Sequence, residues 1–384
     1  MLLIMMIDTH VEHDHAFLRL LLAGGSTRPR RLLLDRFRTP CAALDVGISA
    51  WQHAGCNPRQ CAQFAQPDQS LLERSLRWLA APHHHLIGWH QADYPPLLRY
   101  IANPPLGLFI AGDPMLLWHP AIAIVGTRLP SRSGLDCAYR FAHALASSGL
   151  SIISGLALGI DACAHRAALA TSHPYTVAVL GSGPDIVYPN AHRLLHRQIV
   201  DYGAVVSEYP PGTSPRRGHF PARNRLIAGL SLGTLVVEAT RRSGALITAH
   251  LAHAAHRDVF AIPGPLHHPM AQGCHALIRE GANLVEHPNQ LIEGLGALPQ
   301  VLAQAIRARL ADMDSGILQT KTLVPALSNP DYTKVWEALG YDSTTMDQIV
   351  QRCGLTVSTV SSILVSMEMD GCVSADQGRY CRTA

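Results

Sequence analysis

Between Tyr209 and Val237 the chain carries Arg216, Arg217, Arg223 and Arg225, with His219, Phe220 and Asn224 among them and no acidic residue. Guanidinium forks hold phosphate oxygens and an exposed ring offers a stacking surface to an unpaired base, so this composition suits a single-stranded nucleic acid. It also fits a plainer use, in which Phe220-Pro221 plugs the core to anchor a long loop and the arginines are solvated. A second set of candidates recurs just past short apolar runs. Gly126, Thr127, Arg128, Ser131, Arg132, Ser133 and Gly134 follow the first run; Ser154, Gly155, Gly159 and Asp161 follow the second; Gly181, Ser182, Gly183, Asp185 and the turn Tyr188-Pro189-Asn190 follow the third. Glycine, hydroxyl and arginine ahead of a helix N-terminus make an anion cradle from backbone N–H groups, helix dipole and guanidinium. Any one of these glycines is equally explained by a tight strand-to-helix turn. Three in succession favour phosphate.

Enzymatic constellations are weaker. Asp161 and His165 stand at i, i+4 on one helical face and could exchange a proton, but such a pair is ordinarily a structural hydrogen bond. Glu238, ending its strand, fits a hydrolytic carboxylate or a clamp on Arg223 or Arg225. There is no Gly-x-Ser-x-Gly elbow, no Gly-x-Gly-x-x-Gly with a following acid and no Walker-type Gly-Lys-Ser/Thr, which argues against the usual hydrolase, NAD and ATP sites. His250, His253 and His256 share one expected helix without a carboxylate or cysteine nearby, so neither a metal nor a cofactor is expected.

The scaffold that must position these residues is legible in the runs Ile122–Val125, Ser151–Ile153, Val177–Leu180, Ala204–Val206, Thr234–Val237 and Val259–Ile262. They are apolar on both faces and alternate with helical patterns, which predicts an α/β fold with a doubly wound, mainly parallel sheet. Its ligands gather at the carboxyl ends of the strands. Residues 1–82 carry helical spacing broken by glycine and proline and predict a small helical domain. Residues 83–120 read as a linker because Tyr94-Pro95-Pro96 and Asn103-Pro104-Pro105 interrupt them, 121–293 as the sheet domain, 294–330 as a second linker, and 331–384 as a compact tail. In the tail, helices over 332–339, 346–352 and 357–369 followed by a hairpin give the order of a winged helix. Seven acids (Asp331, Glu337, Asp342, Asp347, Glu368, Asp370, Asp376) face four bases (Lys334, Arg352, Arg379, Arg382) there. That balance suits protein contact or structural support better than entry into a major groove.

The length of 384 residues predicts two or three domains at about 150 residues each. With 48% hydrophobic and 15% charged residues, wholesale disorder is excluded. The net charge of +3 is too small to announce a nucleic-acid partner by itself. The only lysines are Lys321 and Lys334, so every earlier cation is arginine or histidine; a GC-rich genome gives the same bias. Nine scattered cysteines without a Cys-x-x-Cys pair suit a reducing cytoplasm. The apolar start Met1–Ile7 is too short for a membrane span and runs into Asp8, Glu12 and Asp14, unlike a secretory signal.

The ordered runs Ile124-Val125-Gly126-Thr127-Arg128, Ser154 to Asp161, Tyr188-Pro189-Asn190, Phe220-Pro221-Ala222-Arg223-Asn224-Arg225, Val237-Glu238-Ala239, Ser243-Gly244-Ala245 and Ile262-Pro263-Gly264 resemble the DNA-processing protein A (DprA/Smf) family over nearly the whole chain. The resemblance implies a helical sterile-alpha-motif-like or helix-hairpin-helix start, an extended Rossmann centre and a winged-helix tail. It implies a non-enzymatic cytoplasmic homodimer, joined through the Rossmann domain, that acts in natural transformation and DNA recombination. Such a protein binds and protects incoming single-stranded DNA and helps load the RecA recombinase. The implied DNA and phosphate contacts are Gly126, Thr127, Arg128, Ser154, Gly155, Asn190, Arg216, Arg217, Phe220, Arg223, Asn224, Arg225, Ser243 and Gly244, buttressed by Glu238 and Asp161. The lysine that often assists in this pocket is missing, with Arg216 or Arg217 as its replacement, and His275 stands where asparagine is common. The alternative is a nucleotide phosphoribohydrolase of the lysine-decarboxylase-like superfamily, of whose glycine-rich signature only Gly233-Thr234 and Glu238 are present. A duplex-binding transcriptional regulator is disfavoured by the acidic tail.

Overall fold

The computed structural model describes residues 2–295, 330–339, 344–369, 373–376 and 379–382. The linker expected over 294–330 thus lies almost wholly outside the described residues. The chain divides into two compact units, the first holding a helical bundle and a large sheet, the second the C-terminal module.

Six helices open the first unit: α1 (Leu2–Leu22), α2 (Thr27–Phe37), α3 (Pro40–Asp45), α4 (Gly47–His53), α5 (Pro58–Ala65) and α6 (Gln69–Leu79). Polar residues start them where the apolar spacing restarts. Asn57 and Gln60 form a reciprocal capping box on α5, and Asp68 accepts from Leu71 N to begin α6. Phe17, Leu18, Leu33, Leu34, Trp51, Phe64 and Leu72 close a core that also takes in Leu86, Leu106 and Phe109 from the sheet side. The bundle is therefore packed onto the sheet rather than tethered to it.

That packing corrects the expected linker over 83–120. Residues His84–Gly88 (β1) and Gly107–Gly112 (β2) are antiparallel strands, and β2 pairs antiparallel with β6 (Ala204–Ser207). Gly-Leu-Phe-Ile-Ala-Gly of β2 is buried throughout, as expected of a strand covered on both faces. The proline pairs sit in the connection between the two strands, where no ladder donor is needed. The other strands are β3 (Ala121–Val125), β4 (Ser151–Ser154), β5 (Thr176–Val179), β7 (Gly233–Val236), β8 (Asp258–Ala261) and β9 (Asn283–Leu284), and the sheet runs β1-β2-β6-β5-β4-β3-β7-β8-β9. From β6 to β9 every pairing is parallel.

Helices α7 (Arg132–Ser147), α8 (Ile160–Leu169), α9 (Arg193–Tyr202), α10 (His219–Leu230), α11 (Gly244–Ala254), α12 (Gln272–Arg279) and α13 (Pro288–Glu293) fill the crossovers and close the unit. Ile122 and Ile124 of β3 pack with α7 and α8 on one face, while Ala121, Ala123 and Val125 pack with α10, α11 and α12 on the other. This is the α/β doubly wound Rossmann-like fold. The chain steps outward from β3 through β4 and β5 to β6, then returns to lay β7 on the other side of β3. The crevice predicted by that reversal lies past Val125 and Val236. Strand β8 is interior, with Phe260 and Ala261 buried, because β9 completes the edge beyond it.

In the second unit α14 (Pro330–Ala338), α15 (Met346–Cys353) and α16 (Val357–Met369) precede a three-stranded sheet of β10 (Thr344–Thr345), β12 (Arg379–Arg382) and β11 (Val373–Asp376), the winged-helix order. Val335, Leu339, Ile349, Val360, Leu364, Met367 and Val373 make its core. No helix among the described residues is long and apolar enough to cross a membrane.

Candidate functional site

The carboxyl ends of β3, β4, β5 and β7 open into a cavity of about 600 Å³. Its wall carries Gly126, Thr127 and Arg128 from the end of β3, Ala157 and Asp161 after β4, and Tyr188 after β5. Arg217 leads into α10, which adds Phe220, Arg223 and Asn224, and Thr240, Ser243 and Gly244 come from the end of β7. The cavity thus occupies the switch point at which a doubly wound sheet takes its ligand.

The loop after β3 is held rigid from below. Thr127 N donates to Glu238 O at 2.7 Å, and Leu129 N donates to Thr127 Oγ1 at 3.2 Å. The Glu238 carboxylate accepts from Ser131 N at 2.9 Å and from Ser131 Oγ at 2.5 Å, and Ser131 Oγ in turn accepts from Gly134 N. Glu238 therefore fastens the first turn of α7 and holds neither Arg223 nor Arg225. Its two oxygens are engaged with protein, which removes the carboxylate that a phosphoribohydrolase would need. Gly134 is required at this spot because a Cβ would run into the Glu238 carboxyl group.

Arg128 is exposed, and its guanidinium lies 5.9 Å from the centre of the Phe220 ring. Tyr188 packs against the same Phe220 ring, with centroids 5.5 Å apart at 42°. Arg217 is also exposed and lines the cavity. Neither arginine forms an ion pair among the described residues. Two exposed cations and a half-buried ring are what the arginine-rich segment and the β3 loop jointly deliver to the site.

Several expected contacts are engaged with protein groups or lie outside the cavity. Arg223 is only 5% exposed, and its Nη1 donates to Gly155 O at 2.7 Å and to Val179 O, while Nε donates to Asn224 Oδ1 at 3.1 Å. Burial pushes its pKa down to about 10, against the pull of Asp161, so it stays charged at neutral pH. Asp161 accepts from Gly155 N at 3.1 Å and Ala157 N at 3.4 Å. Burial pushes its carboxyl up, opposed by Arg223 and those amides. Arg223 and Asp161 together thus splint the loop after β4 to β5 and α10. Gly155 has no room for a Cβ, which would meet the Arg223 guanidinium. Arg225 faces away from the cavity, its Nη2 bonded to both oxygens of Glu208 at 2.6 and 2.7 Å. Ser154 is fully buried and donates to Ile124 O at 2.6 Å, so it stitches β4 to β3. Asn190 and Arg216 are exposed but do not line the cavity. Asn224 does line it and reaches Gly244 O at 3.5 Å, and Ser243 caps α11 by accepting from Ala245 N.

The proposed acid–base pair also dissolves. His165 is buried, with Nδ1 2.7 Å from Thr176 Oγ1, and Thr176 Oγ1 donates to Ile152 O, so Nδ1 carries the proton. Burial pushes its pKa down to about 3. His250, one of the three spaced histidines, is exposed and pairs with Glu280 at 3.0 Å. Tyr188, from the turn that the sequence places after the third apolar run, lines the cavity as well. Leu129, Ile247, Thr240 and Met270 also line it, and no sequence signal marked them.

A family model for DNA recombination-mediator protein A matches residues 85–296, and one for the DprA winged helix domain matches residues 319–379. The chain is 37% identical over 332 residues to protein Smf of Escherichia coli K12, covering 86% of each chain. It is similar to the X-ray structure of DNA processing protein A from Streptococcus pneumoniae at 34% identity and a TM-score of 0.66, covering 74% of this chain and 99% of that one. DNA processing protein A from Helicobacter pylori, whose structure concerns its single-stranded DNA binding mode, aligns at 30% identity with a TM-score of 0.50 over 55% of this chain and 95% of that one.

Proposed function

The chain belongs to the DNA-processing protein A (DprA/Smf) family, whose members bind DNA and are not enzymes, and from this we propose that it binds single-stranded DNA in the cavity at the carboxyl ends of β3, β4, β5 and β7. The observation that carries the proposal is the placement of Arg128 over Phe220, with Arg217 lining the same cavity and no ion pair on either arginine among the described residues. The one carboxylate lining the cavity, Asp161, is bonded to backbone amides and sits beside Arg223. A phosphate would meet two uncompensated guanidinium groups and the amide-rich start of α11, and an unpaired base would meet the ring. A duplex keeps its bases stacked and cannot make the second contact.

In the cell this activity would shield incoming single strands from nucleases during natural transformation and present them to RecA, in the cytoplasm. A homodimer through the Rossmann domain would place two cavities in series. The edge strand β9, where Leu284 is exposed, would supply the surface for it. The test is binding of one labelled oligonucleotide in single-stranded and duplex form across a salt series. Preferential binding of the single strand is expected, with affinity falling by a log–log slope of about −0.7 per phosphate contacted. Equal affinity for the duplex, or no response to salt, refutes it.

A further inference from the structure

The loop that carries Arg216 and Arg217 also supports a contact from the helical bundle. Gly212 in this loop turns at φ +80°, and a Cβ built on it would lie 2.7 Å from Arg74 Nη1, so the α6 guanidinium sits directly against the glycine. The loop is tied down at that point: Gly212 N donates to both Asp185 oxygens at 2.8 and 3.0 Å, and Gly183 N donates to Thr213 O at 2.8 Å. Asp185 is thus the acid facing this spot and is engaged with the loop backbone. Arg74 is exposed and has no ion pair among the described residues. One turn on, Arg77 is exposed at i+3; the exposed acid on this stretch of α6 is Glu73.

The contacts between the cavity and Arg74 are continuous. Phe220 packs 3.1 Å from a Cβ position on Gly181, and a Cβ on Gly183 would lie 3.0 Å from Gly212 N. Gly181 and Gly183 are at most about 7 Å apart, so Arg74 lies within about 15–20 Å of Phe220. A few nucleotides of extended strand cover that gap. Tyr209 and His219, stacked at 4.0 Å and half-buried, belong to the same connection.

We propose that Arg74 and Arg77 of α6 form a second phosphate-binding step, over which a single strand leaving the cavity continues onto the helical bundle. The proposal rests on the DNA-binding function of the cavity and extends it to a second domain. It predicts a dependence on DNA length. In the full chain, the Arg74→Ala/Arg77→Ala variant should bind an oligo-dT of about 5 nucleotides as the parent does, since so short a strand fits the cavity alone. On an oligo-dT of about 20 nucleotides, the same variant should lose roughly tenfold in affinity and about 1.4 from the salt slope, the value for two phosphates. Arg77→Ala alone, on an exposed residue, should show about half the slope change, which guards against misfolding of the double variant. Equal losses at both lengths, or an unchanged affinity and slope on the long oligonucleotide, overturn the proposal. Failure of the cavity itself reads out differently, as binding at both lengths that is indifferent to Arg128→Ala.

Discussion

Arg223 is the residue on which a phosphate-binding role and a structural role diverge most, and replacing it by alanine separates them. The side chain donates to Gly155 O and Val179 O from the interior and faces the buried Asp161. Truncation leaves two carbonyls without that donor and a carboxylate without its neighbouring cation. Removing one member of such a buried charged pair costs about 3–5 kcal/mol. In a unit of this size each kcal/mol moves the midpoint by roughly 2–4 °C, so the melt should fall by about 6–20 °C. Arg223→Lys keeps the charge but not the fork and should recover only part of the loss. The assay is a thermal melt followed by circular dichroism, run beside oligonucleotide anisotropy well below the transition. An Arg223→Ala protein that melts like the parent while binding DNA an order of magnitude more weakly would put this guanidinium on phosphate and refute the reasoning.

Arg128→Ala should show the opposite pattern, an unchanged melt and a loss of about 1.5–3 kcal/mol in DNA binding by anisotropy, the worth of a charge-assisted contact. Arg225→Ala breaks the pair with Glu208, in which both side chains are 18% exposed. It should cost on the order of 1 kcal/mol of stability in a denaturant titration and leave DNA affinity intact. Deleting residues 331–384 should leave single-strand affinity unchanged in the same anisotropy assay, because seven acids against four bases give the module a net negative charge. Acidification should destabilise the first unit through His165. Its folded pKa of about 3 lies below the unfolded value, so the unfolded chain takes up a proton first and stability drops as pH falls from about 6.5 toward 3. The slope is about 1.4 kcal/mol per pH unit, and His165→Asn should flatten it in melts recorded across that window.

The doubly wound sheet was legible because its strands are apolar on both faces and end in glycine, a pattern that survives without any knowledge of partners. Strands β1 and β2 were not, since proline pairs near them read as a linker when they in fact occupy the connection between two antiparallel strands. At the site, Arg128, Phe220 and Arg217 were identifiable from residue type and from their position after a strand or before a helix. Ser154 was placed in the same list on equal grounds, yet in a strand successive side chains alternate faces, and its hydroxyl turns inward to Ile124 O. Tyr188 was legible only as part of a turn after a strand, not as a packing partner of the Phe220 ring. The cavity wall it forms exists only once α10 is laid over the end of β5.

The arginine-rich segment shows why a count of cations overstates a binding site. Local sequence from Tyr209 to Val237 is free of acids, so all four arginines look equally available. Their counter-charges arrive from outside the segment. Glu208, just before it, takes Arg225 at 2.6 Å, and Asp161, in the first turn of α8, attracts Arg223 in the interior. Helical geometry completes the division, because residues 220, 223 and 225 on α10 project in different directions at about 100° per residue. Phe220 faces the cavity, Arg223 turns under the sheet ends, and Arg225 points to Glu208. Arg223 and Asp161 hold Gly155 and Ala157 in place beneath the opening, so on the proposed function an arginine committed to the fold shapes the site that Arg128 would use. Binding strength and fold stability should therefore respond to different arginines of one short motif, with Arg128 and Arg217 setting the first and Arg223 the second.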